Sequence, residues 1–336
     1  MTVRIGINGF GRIGRNFYRA AKQRGADIEF VAANDLLSID LTAHLLKYDS
    51  ILGDYPGEVE AVGDGIKVDG ETIRILAERD PTELPWGELG VDVVVESTGI
   101  FTSRETAGKH LEAGAPFVII SAPGKDVDAT FVVGVNDDTF DPERHKVVSN
   151  ASCTTNCFVP MVKVLDDAFG IERGLMTTVH AYTGTQALVD GPSKDLREAR
   201  AAAINVIPST TGAARATSLV LEAMKGKLDG QSLRVPVPDG SITDFTAVLQ
   251  REATVDEINA AFRVASESGP LSGGILEYST DPIVSTDILG SSASCIFDAP
   301  LTMAMGPLVK VMGWYDNEWG YSNRLVDLVQ IVAAKA

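Results

Sequence analysis

A chain of 336 residues, 45% hydrophobic and 22% charged, is long enough for two domains with ordinary cores. Three cysteines (Cys153, Cys157, Cys295) are too few and oddly numbered for a disulfide framework, and with only four histidines no metal site is expected. The net charge of -17 weighs against nucleic acid and membrane surfaces as partners. The opening MTVRIGINGF lacks a signal-peptide h-region and no apolar run nears the roughly 20 residues of a membrane span, so a cytoplasmic location is expected.

In chain order, VRIGIN at 3–8 reads as a buried strand, followed by a glycine-rich turn and a helix to about Arg24. IEFVAAND at 28–35 closes a β-α-β unit. Residues 54–92, with eleven acids against three bases, read as solvated surface. Further strands are expected at 91–99, 116–123, 129–136 and 145–150, which together argue for an α/β Rossmann-type, doubly wound parallel sheet over residues 1–150. A helix is expected from about Ser152 to Phe169, with Pro160 bending it or lying in its first turns. Strands at 174–182, 231–237, 241–250 and 308–315, with a long irregular segment at 183–208, suggest an α+β domain over 151–316 with a mainly antiparallel sheet. The tail, 317–336, is helical and expected to pack back on the first domain.

Gly9-Phe10-Gly11-Arg12-Ile13-Gly14 is a GxGxxG placed between a predicted strand and a predicted helix. In that context one glycine permits the turn, one admits a pyrophosphate to the backbone, and one allows close helix–strand packing. Asp35, 21 residues after Gly14, stands where a carboxylate meets the adenosine ribose. It would repel a 2′-phosphate by at most about 4 kcal/mol for charges 4 Å apart near a surface, which favours NAD over NADP.

Ser149-Asn150-Ala151-Ser152-Cys153-Thr154-Thr155-Asn156-Cys157 sets Cys153 at a helix start, with Ser152 as the N-cap. There the helix dipole and free N–H groups can lower a thiol from about 8.5 toward neutrality. Spacing alone leaves Cys153 open between nucleophile and small core residue. Nor does it choose among His44, His110, His145 and His180, the last near the end of a strand-like TTVHAYT. Residues 194–234 hold seven bases against four acids, a basic island suited to a phosphorylated small molecule.

At ASCTTNC and TTVHAYT the chain resembles the phosphorylating, NAD-dependent glyceraldehyde-3-phosphate dehydrogenases. INGFGRIGR (7–15), ESTGIFT (96–102), SAPGKD (121–126), DLREARAAAINVIPSTTGAA (195–214), RVPVPDGS (234–241) and WYDNEWGYSNR (314–324) extend the likeness from end to end. The resemblance implies oxidation of glyceraldehyde 3-phosphate to 1,3-bisphosphoglycerate with NAD and inorganic phosphate, the step shared by glycolysis and gluconeogenesis. It assigns Cys153 as the nucleophile, passing through a hemithioacetal and a thioester, and His180 as its base. For the cofactor it implies Phe10, Gly11, Arg12, Ile13, Asn34, Asp35, Arg79, Ser97, Ser121, Asn317 and Tyr321. For the substrate phosphate it implies Thr183, Thr185 and Arg234, and for the attacking phosphate Ser152, Thr154, Arg197, Thr211 and Gly212. It also implies a homotetramer, with 183–208 resembling a loop that packs between subunits.

The chain departs from the family pattern after Ser50, where Ile51-Leu52-Gly53-Asp54 replaces a His-Gly-Arg type turn, outside the implied chemistry. Thr185 stands where some members have Asp, and Pro192 fits the NAD-using members. The nearest alternative is erythrose-4-phosphate dehydrogenase, which shares these motifs but breaks the thioester with water.

Overall fold

A computed structural model of the chain describes residues 2–335. They fall into two compact units, one of residues 2–131, 137–151 and 322–335, the other of 132–136 and 152–321.

The first unit is built on a nine-stranded sheet. Its parallel centre comprises β1 (Val3–Asn8) and β2 (Ile28–Asn34), then β6 (Val93–Glu96), β7 (Phe117–Ile120), β8 (Ala129–Thr130) and β9 (Val147–Ser149). Helix α1 (Arg12–Gln23) makes the crossover from β1 to β2, burying Phe17, Tyr18, Ala20 and Ala21. Helices α2 (Ile39–Lys47), α3 (Arg104–Ala107) and α4 (Lys109–Glu112) lie in later connections.

Two expectations change here. Residues 54–92 are not merely surface: β3 (Val59–Val62), β4 (Gly65–Val68) and β5 (Glu71–Leu76) form an antiparallel meander whose last strand pairs parallel with β2. These strands bury Val59, Ile66, Val68 and Ile73, while most acids of the stretch lie in the turns and flanks and only Glu60 and Glu71 in the strands. The antiparallel pairings make the sheet mixed at this edge. The strand expected at 129–136 is only two residues long. Gly134 turns the chain at φ +84°, and the Asn136 side chain accepts the Val132 N–H, so the ladder ends there.

In the second unit, α5 (Cys153–Phe169) continues through Pro160, which lies in its interior. The sheet order is β11 (Ile207–Thr210), β12 (Leu228–Val235), β10 (Ile171–Ala181), β13 (Ser241–Leu249), β17 (Leu308–Tyr315), β15 (Cys295–Asp298) and β14 (Leu276–Ser279), with β16 (Met303–Met305) beside β17. Most pairings are antiparallel, β10–β12 and β14–β15 being parallel. Helices α5 and α7 (Val255–Glu267) pack on this sheet, and α6 (Ala213–Val220) packs on α5 and β12. The core includes Phe158, Met161, Phe245, Phe262 and Phe297, the last two stacked with ring centroids 3.8 Å apart. The last helix, α8 (Trp319–Lys335), begins in this unit; its later turns belong to the first, where Asp327 pairs with Arg24.

Candidate active site

The glycine-rich turn shows why its sequence is as it is. Gly9 holds φ +91°, and a Cβ there would meet the Thr98 nitrogen at 2.6 Å. A Cβ on Gly14 would meet the Gly9 carbonyl at 2.3 Å, so helix α1 can approach β1 only because that side chain is missing. Around Gly11, by contrast, nothing lies within 4 Å. No side chain caps α1 and no acid sits in its first turn, so the positive end of the helix dipole there suits an anion. A cavity of about 300 Å³ opens here, lined by Gly9, Gly11, Asn34, Asp35, Arg79 and Ser97 among others.

Asp35 follows β2 directly. Its carboxylate accepts the Phe10 and Leu37 N–H groups at 2.8 and 3.1 Å, which fixes its orientation and leaves lone pairs for a ribose. Asn34 donates to Asn8 Oδ1 and to the Glu78 carbonyl, and accepts the Glu78 N–H. Beneath it lies a buried chain: Trp86 Nε1 donates to His110 Nδ1 at 3.0 Å, so the other ring nitrogen carries the proton and donates to Glu96. Ser97 Oγ donates to the Gly9 carbonyl at 2.6 Å, serving the turn itself. The Arg12 guanidinium pairs with Asp49, so what this residue presents at the helix start is its backbone. Arg79 is exposed, and Ser121 follows the end of β7, its N–H bonded to the Glu96 carbonyl.

In the second unit Ser152 caps α5, accepting the Thr155 N–H at 3.0 Å. Cys153 is the first helical residue, and its Sγ lies 3.4 Å from Nε2 of His180, near the end of β10. Before them Ala151 holds φ +56°, a conformation unusual for a residue with a side chain. What positions the pair is Tyr315 on β17. Its buried hydroxyl bonds Thr154 Oγ1 at 2.9 Å and Thr178 Oγ1 at 2.8 Å, one residue after the cysteine and two before the histidine. The tyrosine ring meets His180 edge-on, with centroids 5.8 Å apart. Tyr315 falls within WYDNEWGYSNR, but a phenol between two threonines is visible only once helix and sheet are packed.

The far side of the imidazole is equally defined. Nδ1 lies 2.7 Å from the Ala181 carbonyl and 2.7 Å from Arg234 Nη1. A carbonyl only accepts and a guanidinium only donates, so the ring proton decides between them. With the proton on Nδ1, Nε2 is bare toward Cys153; with it on Nε2, Arg234 can donate to Nδ1. Arg234 also reaches the Ala181 carbonyl at 3.1 Å.

The expectation that the helix N-terminus lowers the thiol is corrected. Burial pushes Cys153 up to about 11 against the opposing pull of Arg234 and Thr154. Burial, then Arg234, lowers His180 to about 3. Desolvation of one sulfur outweighs a few partial charges. Proton exchange within the pair works the other way, because thiolate and imidazolium 3.4 Å apart attract by about 5 kcal/mol at an effective dielectric near 20.

The basic island resolves into two kinds of arginine. Arg200 and Arg215 face Asp190 and Asp229. Arg197 and Arg234 have no carboxylate partner among the described residues, and Arg234 Nε is buried without a hydrogen bond. Thr183 and Thr185 pair their hydroxyls at 3.0 Å after β10. Thr211 and Gly212 stand at the start of α6, with Gly212 its N-cap and Thr211 Oγ1 accepting the Ala213 N–H. The hydroxyl of Thr154 is committed to Tyr315 and buried, so this residue offers an anion chiefly its backbone. Asn317 accepts from Ser241 Oγ at 2.7 Å, and Tyr321 is buried in the first turn of α8.

Residues 3–104 match the family model described as glyceraldehyde 3-phosphate dehydrogenase, NAD binding domain, and residues 152–317 match its C-terminal domain. The chain is 63% identical over 333 residues to a glyceraldehyde-3-phosphate dehydrogenase of Streptomyces coelicolor, covering 99% of each chain. It is 61% identical over 333 residues to glyceraldehyde-3-phosphate dehydrogenase 2 of Streptomyces avermitilis, and 60% over 338 residues to the Mycobacterium bovis enzyme, again covering 99% of each.

Proposed function

Because the chain belongs to the glyceraldehyde 3-phosphate dehydrogenase family, we propose that it oxidises glyceraldehyde 3-phosphate with NAD and inorganic phosphate, using Cys153 as nucleophile and His180 as base. The observation that carries this reading is the Cys153–His180 contact of 3.4 Å at the start of α5, beside an arginine without a carboxylate partner.

Cys153 attacks the aldehyde carbon as its proton passes to His180 Nε2 and from there to the developing alkoxide, giving a hemithioacetal whose hydroxyl faces the α5 N–H groups and the once more neutral imidazole. His180 then takes the hydroxyl proton as the carbon is oxidised. NAD, when bound, accepts the hydride. Phe10, Gly11, Arg12 and Ile13 at the α1 start would take its pyrophosphate, Asn34 and Asp35 its ribose, with Arg79, Ser97 and Ser121 alongside; Asn317 and Tyr321 would set the nicotinamide. The fit is supported by the open backbone at Gly11 and the uncapped, acid-free first turn of α1. Cys153 is left as a thioester, which inorganic phosphate cleaves to release the acyl phosphate.

Arg234, Thr183 and Thr185 hold the substrate phosphate, and Ser152, Thr154, Arg197, Thr211 and Gly212 the attacking one. Guanidinium forks, hydroxyls and helix-start N–H groups are the donors a phosphate needs. The second anion site and the relatives' names both weigh against the erythrose-4-phosphate reading.

The test is NADH formation from the triose phosphate with and without inorganic phosphate, with erythrose 4-phosphate run in parallel. Phosphate-dependent turnover on the triose is expected; phosphate-independent turnover favouring the tetrose would reassign substrate and second step.

We further propose a homotetramer in the cytoplasm. Leu188, Leu196 and Ile204 in the 183–208 segment are 84%, 86% and 79% exposed, an apolar surface that assembly would cover. Leu175 and Leu308 line an open groove of about 1050 Å³ on the second sheet. No helix among the described residues is long and apolar enough to cross a membrane. A monomer by light scattering would count against the assembly.

A further inference from the structure

Asp239 and Asp316 are each 1% exposed and sit side by side beneath Asn317. Asp316 is fully engaged as a carboxylate. Oδ1 accepts the Glu318 and Trp319 N–H groups at 3.0 and 2.7 Å, opening α8, and Oδ2 accepts Gly290 N–H at 2.8 Å. Asp239 is not so engaged. Oδ1 accepts only its neighbour Gly240 N–H, at 2.8 Å, and no donor reaches the buried Oδ2. An ionised carboxylate left half-solvated in a dry place beside a second carboxylate is costly, and a proton placed between them relieves it.

We propose that Asp239 is a carboxylic acid at neutral pH, donating its proton to Asp316, and that this shared proton latches the turn that carries Asn317.

The geometry ties the pair to the reacting residues from two directions. Gly240 leads from Asp239 to Ser241, which accepts the Ala181 N–H at 3.0 Å, next to His180, and donates to Asn317 Oδ1. Asp316 precedes Asn317 in the chain, and Ser241 is in register with Tyr315, so Asp316 lies one residue and Asp239 two residues beyond the same rung of the β13–β17 ladder. The titratable groups facing Asp239 are Asp316, Glu318 and the Cys153 thiol, and the charges acting most strongly on it are both negative. Burial first, then those two carboxylates, raises Asp239 to about 9.

Asp239 is therefore a positioning residue, acting on the nicotinamide through Asn317, and the inference rests on the cofactor reading above. Its test separates the two. The folded protein holds a proton that the unfolded chain releases above about pH 4, so the wild type loses stability as pH rises from there toward about 9. Asp239→Asn keeps both hydrogen bonds through its amide and has no proton to lose. Its melting temperature should exceed that of the wild type by an amount that grows from pH 5 to pH 9. A difference that stays flat over that range overturns the shared proton. NAD affinity, measured by fluorescence on the assembled enzyme, should fall above about pH 9 in the wild type and much less in Asp239→Asn. Identical profiles overturn the latch. Asn317→Ala that binds NAD like the parent would remove the Asn317 reading, and the melting result would still stand.

Discussion

In the proposed reaction His180 is the residue on which the chemistry turns, through what it does for Cys153. Burial holds the thiol up at about 11, so by itself it is almost wholly protonated at neutral pH. His180 gives the proton somewhere to go 3.4 Å away, and the resulting charges attract. His180→Asn should therefore slow iodoacetamide alkylation of Cys153 at pH 7 by at least about tenfold. Equal alkylation rates in mutant and parent would remove this role. Arg234 belongs to the same balance: it lowers His180 while pulling Cys153 down, so it favours a proton that does not stay on the imidazole.

At the scale of elements, the site is a joint between α5, β10 and β17 made by one hydroxyl. Tyr315→Phe keeps the ring against His180 but leaves Thr154 and Thr178 without their shared partner in a buried place. The cost should be about 1–3 kcal/mol in chemical denaturation, with kcat falling while the Kd for NAD is unchanged. An unaltered kcat would mean that helix and strand hold their spacing without it. How much of this could be foreseen from residues depends on the reach of each interaction. The GxGxxG turn, Asp35 and the Ser152 cap were legible because their partners lie within one supersecondary unit. The Cys153–His180 pairing was legible only through family likeness, since spacing offered four histidines equally. Tyr315 and Asp239 acquire partners 77 or more positions away in sequence, through β13–β17 register and helix packing, which no local pattern encodes. The meander at 59–76 was hidden differently: its strands are only four to six residues long and lie inside a longer acid-rich stretch.

For the whole molecule, charge and chemistry are arranged against each other. The net charge is -17 while the proposed substrates are anions, and within the basic island Arg197 and Arg234 have no carboxylate partner among the described residues. About half of the acidic excess lies in residues 54–92 of the first unit, with eleven acids against three bases, whereas the basic island belongs wholly to the second unit, with Cys153 and His180. In the proposed mechanism oxidation passes through an acyl group held on Cys153. Mixing enzyme, NAD and glyceraldehyde 3-phosphate without inorganic phosphate should give a burst of about one NADH per chain, followed by slow turnover. Mass spectrometry of the quenched protein should then find a phosphoglyceroyl adduct on the Cys153 peptide, discharged on adding phosphate. No burst, or an adduct on Cys157 or Cys295 instead, would contradict the account.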